Sequence, residues 1–281
     1  MIPTAFHYHR AASVDDALAR LKGSGGKLLA GGHSLVPLMK LRLSEPSTLV
    51  DIARIKDLAG IREVDGAIEI GAATTHHDVA TSALLARTCP MVAETAAGIG
   101  DPQVRNRGTL GGSLAHADPA ADYPAAMVAA DADILLKSAR GPRTVKASAF
   151  FQNLFTVDLQ PDEIILGVRF TPVRSAAYAK LRQRASHFAI VGVAAVLEVK
   201  AGHIKEARIG LTGAGTHAMR LTNVEQALAG QPATSEAIAK AAALATVAQA
   251  NADIHASEAY RKAMVPVFTR RALDGALGRL S

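Results

Sequence analysis

Apolar residues recur at helical spacing in "SVDDALARL", where Ala17, Leu18 and Leu21 follow Ser13 and Asp16 stands three residues after that serine. A hydroxyl followed by a carboxylate three positions on satisfies free amides at a helix start, so this stretch predicts a helix capped by Ser13. Short apolar runs bounded by Gly, Pro or Ser come next. "KLLA" (27–30), "TLVDI" (48–52) and "AIEIGAA" (67–73) predict strands. "HDVATSALLA" and "MVAETAAGI" read as helices, so strands and helices alternate through about residue 130. "DADILLKSARGPRTVKA" then predicts two strands around a Gly-Pro turn, and "DEIILGVRF" predicts another strand.

The pattern changes from about residue 176. "YAKLRQ", "IVGVAAVLEVK" and "IKEARIGLTG" are long β-like runs, and the "AGH" between the last two predicts an antiparallel hairpin. "TNVEQALAG", "TSEAIAKAAALATVAQA" and "SEAYRKAMVPVFTRRALDGALGRL" each open on Ser or Thr with a carboxylate close behind, which predicts three helices. Pro266 should kink the last helix or mark its true start. The chain therefore divides near residues 171–176, with an α/β portion first and a sheet-plus-helices portion second.

Two glycine pairs break this alternation. "AGGHS", Ala30 to Ser34, and "TLGGS", Thr109 to Ser113, each combine adjacent glycines with hydroxyls, and the second lies in "GDPQVRNRGTLGGSLAHADPAADYPAA", which reads mostly as ordered loop. One such pair is an ordinary turn. Two of them facing each other would make a cradle of backbone donors for an anion, and a diphosphate is the obvious one. A side chain added at Gly32 or Gly111 would then fill the anion's space. Neither segment carries a Gly-x-Gly-x-x-Gly or a Walker lysine pattern, which disfavours the usual dinucleotide fold and nucleotide hydrolysis.

Composition narrows the classes further. With 281 residues, 49% hydrophobic and 20% charged, the chain can bury one large or two modest cores. "MIPTAFHYHR" lacks a secretory pattern and no apolar run reaches the ~18 residues of a membrane span, so the expected place is the cytoplasm or, peripherally, the inner membrane face. The net charge of +6 is scattered, without the basic stripe or aromatic platform that nucleic acid requires. Cys89 is the single cysteine, so the chain by itself holds neither an iron–sulfur cluster nor a thiolate zinc site. His7/His9 and His76/His77 lack a carboxylate-bearing ligand pattern and read as exposed or capping histidines, and no metal site is expected.

With these residues in view, "AGGHSLVPLMKLRL", "RNRGTLGGSLAHADPAAD", "EIILGVRF", "YAKLRQR" and "AYRKAMVPVFTRRAL" resemble, in order, the landmarks of the flavin-binding medium subunits of molybdenum hydroxylases, most closely the carbon monoxide dehydrogenase type. The resemblance runs over essentially the whole chain. It implies an α+β fold: a vanillyl-alcohol-oxidase-like (PCMH-type) FAD-binding domain over residues 1–174, in two α/β subdomains of about 1–54 and 55–174, then a C-terminal domain over 175–281 of a three-stranded antiparallel sheet plus a helix bundle. It places Ala30, Gly31, Gly32, His33 and Ser34, together with Thr109, Gly111, Gly112 and Ser113, around the FAD diphosphate. By the same resemblance Asp122 binds on the cofactor's polar side, Ile165 packs near it, Lys180 supplies a positive charge, and Phe188 stands beside the isoalloxazine. Taken alone, Asp122 reads equally as the N-cap before Pro124, Lys180 as a surface lysine and Phe188 as core. Ser113 departs from the family's commoner Asn, keeping a donor on a shorter arm.

The resemblance also implies a division of labour. A large subunit would oxidise substrate at a molybdenum cofactor, a small subunit would carry [2Fe-2S] clusters, and this chain would pass the electrons through FAD to NAD, a quinone or a carrier protein, in a dimer of heterotrimers. No catalytic acid, base or nucleophile is then needed here. Two other readings stay open at this point: a self-sufficient flavin oxidase or dehydrogenase, and a scaffold subunit without cofactor. The substrate of the whole enzyme (carbon monoxide, an aldehyde, a purine or another N-heteroaromatic) is open as well.

Overall fold

A computed structural model describes residues 1–280 and arranges them around three larger sheets. The first is parallel, with strands β1 (His7–Arg10), β2 (Lys27–Leu29) and β3 (Thr48–Asp51) in the order β1-β3-β2. Helices α1 (Val14–Leu21) and α2 (Leu35–Lys40) make the crossovers that parallel strands require. Ser13 starts α1 as expected: its hydroxyl accepts from the Asp16 amide at 3.1 Å, and the Asp16 carboxylate accepts from the Ala12 amide at 2.9 Å.

The second sheet is antiparallel. It contains β4 (Ile61–Val64), β5 (Ala67–Gly71), β6 (Asp133–Ser138), β7 (Gly141–Lys146) and β10 (Ile164–Phe170) in the order β4-β5-β10-β6-β7. Six helices separate β5 from β6: α3 (His76–Ala80), α4 (Ala83–Thr88), α5 (Pro90–Ala97), α6 (Pro102–Arg105), α7 (Leu110–His116) and α8 (Tyr123–Ala129). Helix α9 (Ala147–Phe150) and a small hairpin, β8 (Phe151–Asn153) with β9 (Thr156–Val157), lead into β10.

The third sheet runs β11 (Ala176–Arg182), β12 (Ala189–Lys200), β13 (His203–Thr212) and β14 (Met219–Arg220), all antiparallel. The expected three strands are there, joined by the two-residue edge strand β14. Helices α10 (Thr222–Leu228), α11 (Ser235–Ala242) and α12 (Glu258–Leu277) complete the chain. The run "AIVGVAAVLEVK" explains how this sheet is held. Side chains alternate across a strand, and here Val191, Val193, Ala195 and Leu197 enter one core while Ala194 and Val196 enter the other. A strand covered on both faces reads as a near-continuous apolar run, and Glu198 and Lys200 fall where the cover ends.

Four local expectations change. "HDVATSALLA" is two helices rather than one, because Ser82 caps a new start by accepting from the Leu85 amide at 3.3 Å. The turn between β6 and β7 falls at Ala139 and Arg140, so Gly141 and Pro142 lie within β7, where an edge strand tolerates the missing proline N–H. Helix α11 stops at Ala242, short of the expected end at Ala250, because Ala245 and Val247 turn back into the core. The long glycine-bearing segment, expected as loop, contains α6 and α7, so Gly111 and Gly112 are helical.

Candidate functional site

A cleft of about 800 Å³ opens where the first sheet, the α6–α7 segment, the β9–β10 segment and the β11–β12 turn converge. Each wall is set locally. After β2 the chain leaves the sheet at Ala30, passes Gly32 at φ +77°, and enters α2 beyond Ser34. Among the described residues the amides of Gly31, Gly32, His33, Ser34 and Leu35 donate to no protein acceptor. Consecutive free amides around a left-handed glycine form a concave nest of partial positive charge.

The second glycine segment packs directly on the first. A Cβ on Gly31 would overlap the Arg107 carbonyl and come within 2.8 Å of the Gly108 Cα, so these backbones touch because Gly31 has no side chain. Thr109 caps α7, accepting from the Gly112 amide at 3.2 Å. Leu110 donates to the Thr74 carbonyl at 3.0 Å and Gly111 to the Ala72 carbonyl at 2.8 Å. These amides are spent within the protein, and a Cβ on Gly111 would meet the Ala72 Cβ at 2.5 Å. The expectation that a side chain at Gly111 fills an anion's space is therefore corrected: Gly111 permits a close approach to β5's end. Gly108, Thr109, Gly111, Gly112 and Ser113 of this segment line the cleft, and Thr109 and Ser113 bring the hydroxyls.

All the expected cofactor-facing residues except Lys180 line the cleft, as does Phe188. Ile165, on β10, contributes an apolar wall and is 5% exposed. Asp122 sits at the N-cap position of α8 but makes no capping bond. Its carboxylate instead accepts from Tyr178 Oη at 2.5 Å and from Lys180 Nζ at 2.9 Å. Burial pushes the Asp122 carboxyl up, and the Lys180 ammonium and Tyr178 hydroxyl pull it back. Lys180 is neither a surface lysine nor a group offered to the cleft. Its ammonium also donates to the Gly98 and His187 carbonyls, both at 2.7 Å, which occupies its three N–H groups behind the wall.

Several lining residues escaped the sequence reading. His76 was expected to be exposed or capping, yet it is 5% exposed, its ring tilted against that of Tyr123 with centroids 5.3 Å apart, and its Nδ1 is unpartnered. Burial holds its imidazole down to about 4, and the nearby charges of His33 and Arg105 add to this, so it is neutral in the folded protein at neutral pH. His116 lines the cleft at the end of α7, and burial lowers its pKa as well. On the β9–β10 side, Arg143 bridges Glu163 (2.6 Å) and Asp158 (3.0 Å), which sets the wall carrying Leu159, Gln160 and Pro161. A histidine at a helix start carries no sequence signal of which way it faces.

The cleft suits a long ligand with an anionic middle. The amide nest and two hydroxyls can hold oxyanions, and the apolar surface of Leu28, Leu29, Ile165 and Phe188 can take a ring. No helix among the described residues is long and apolar enough to cross a membrane.

Comparison with known proteins covers nearly the whole chain. Residues 4–172 match the family described as FAD binding domain in molybdopterin dehydrogenase, and residues 176–276 match the CO dehydrogenase flavoprotein C-terminal domain. The chain is 39% identical to the carbon monoxide dehydrogenase medium chain of Hydrogenophaga pseudoflava over 99% of both sequences. It is 38% identical to subunit alpha of the 6-hydroxypseudooxynicotine dehydrogenase complex of Paenarthrobacter nicotinovorans, over 99% of this chain and 97% of that one. Its fold matches the solved structure of the Hydrogenophaga carbon monoxide dehydrogenase with a TM-score of 0.94, over 100% of both chains at 39% identity. The match to quinoline 2-oxidoreductase from Pseudomonas putida 86 has a TM-score of 0.93 at 32% identity, again over 100% of both chains.

Proposed function

Because the chain belongs to the family of FAD-binding medium subunits of molybdenum hydroxylases, of the carbon monoxide dehydrogenase type, we propose that it is the electron-transfer subunit of such an enzyme. In this reading it passes electrons from the [2Fe-2S] clusters of a small subunit to an external acceptor, NAD, a quinone or a carrier protein. A large subunit with the molybdenum cofactor oxidises the substrate, and the three subunits form a dimer of heterotrimers.

The observation that carries the reading is the run of unpartnered amides from Gly31 to Leu35, in residues that line a cleft together with apolar side chains such as Leu28, Ile165 and Phe188. Those amides, with the hydroxyls of Ser34, Thr109 and Ser113, would hold the diphosphate of FAD. Ile165 and Phe188 would bound its ring, and Asp122 lies within reach of a polar edge. A bound flavin supplies the chemistry of accepting electrons singly and releasing them as a pair, while the protein binds, orients and shields it. Residues 1–174 form the FAD part and residues 175–281 the part that closes the cleft and meets partners. Ser113, shorter than Asn, reaches less far toward the cofactor.

The flavin is held without a covalent bond. Acid denaturation of the purified protein should release all the yellow chromophore, as one FAD per chain. Flavin that stays on the polypeptide would refute the non-covalent part, and a protein without flavin absorption that takes up no added FAD would refute the assignment.

A further inference from the structure

The turn between β11 and β12, Gln183 to Phe188, leans over the cleft and brings Ala185, Ser186, His187 and Phe188 to its lining. The turn is closed on itself, with the Gln183 amide donating to the Phe188 carbonyl at 2.9 Å and the His187 amide to the Gln183 carbonyl at 3.0 Å. Two links tie it to the opposite wall. His187 Nδ1 is 2.8 Å from the Gly100 carbonyl, and Lys180 Nζ donates at once to the Gly98 carbonyl, the His187 carbonyl and Asp122. Gly98 follows α5 and Asp122 precedes α8, whereas Lys180 and His187 belong to the third sheet and its turn.

Lys180 is built into this place. Its side chain is 7% exposed and that of Asp122 is 4% exposed. Tyr178, two residues earlier on the same face of β11, donates to the other Asp122 oxygen, and Gly192 on β12 leaves the space that the Tyr178 hydroxyl fills. An ammonium has three donors, and here none remains for a ligand in the cleft.

We propose that Lys180 is a positioning residue: its three hydrogen bonds pin the Gln183–Phe188 turn against Gly98 and Asp122, and so hold Phe188 across the mouth of the cleft. The consequence for the flavin rests on the function proposed above; the pinning of the turn does not. Without the lysine, the Gly98 and His187 carbonyls lose their shared donor, the turn opens more often, and whatever occupies the cleft leaves faster.

Arg184 is exposed in this turn, so trypsin reads its opening directly. The full-length chain, with and without FAD, is digested briefly, and cleavage after Arg184 is compared with cleavage after Arg62, which is exposed on β4. Lys180→Met should raise the Arg184 rate relative to Arg62 by about tenfold or more, because cleavage follows the population of the open turn. It should also speed FAD release. Should the unpaired Asp122 prevent that variant from folding, the pair Asp122→Asn with Lys180→Met removes the stranded charge and should open the turn equally. Asp122→Asn alone should leave the turn closed, since Lys180 still bridges the two carbonyls. Wild-type cleavage at Arg184 in both Lys180→Met proteins would overturn the proposal, as would faster FAD release without faster cleavage, which would return the lysine to a charge role toward the cofactor. If no protein in the series binds FAD, the flavin reading fails while the cleavage rates still decide the role of Lys180.

Discussion

Gly31 and Gly32 are adjacent, yet their missing side chains serve different ends. At Gly31 any Cβ overlaps the Arg107 carbonyl, so Gly31→Ala should push the two glycine segments apart and lose stability and FAD binding together. At Gly32 the constraint is the left-handed backbone, and the nearest atom to a Cβ is a Val36 methyl at 3.2 Å rather than backbone. Gly32→Ala should fold with a loss of about 1–2 kcal/mol in urea unfolding, while FAD titration shows a weaker nest. Equal behaviour of the two variants in both measurements would sink this distinction. His76 sets a pH dependence. Its folded pKa of about 4 lies below the ordinary 6.5, so as pH falls between these values the unfolded chain takes up a proton that the folded chain does not. Stability present above pH 6.5 should therefore decline toward pH 4, by up to about 3 kcal/mol from this group. His76→Gln should flatten that part of the profile, and an unchanged slope between the two proteins would assign the acid sensitivity elsewhere.

Helix starts were the most legible elements, because a cap is local. Ser13, Thr234 and Ser257 each accept from the amide three residues on, at 3.1, 3.3 and 3.2 Å. Pro266 shows where local reading stops. Of the two expectations for it, a kink or the helix's true start, the start is excluded: α12 runs from Glu258 to Leu277 with the proline inside. Val265, Phe268, Ala272, Leu273 and Ala276 bury one side of α12 in the core shared with β11 and β12, and this packing holds the helix together where a backbone donor is missing. Pro266→Ala should therefore raise the unfolding temperature, the restored hydrogen bond and relieved strain being worth up to about 3 kcal/mol. A lower unfolding temperature in calorimetry would mean that contacts of the proline ring outweigh both.

On the scale of the whole molecule, the proposed electron-transfer role requires a cluster-bearing partner, since Cys89 is the chain's single cysteine and cannot hold a cluster. Co-expressed with its neighbouring subunits, the chain should copurify in a stoichiometric heterotrimer, doubled in solution, and substrate should bleach the flavin only in that complex. A chain that stays alone in their presence and is reduced directly by a small substrate would instead be a self-sufficient oxidase. The sequence by itself determined what rests on neighbours along the chain: the helix caps, the apolar alternation, the β12–β13 hairpin at "AGH", and the family through two glycine motifs in order. It did not reveal that "TLGGS" is helical, because the bonds from Leu110 and Gly111 to Thr74 and Ala72, which hold those glycines in place, come from a distant segment. It did not reveal the edge strands β1 and β4, the burial of His76, or the inward turn of Lys180. Only the tertiary structure decided these, because a side chain's direction and partners depend on segments brought together by folding: Lys180 is 58 residues from Asp122 and 82 from Gly98 along the chain, and hydrogen-bonded to both.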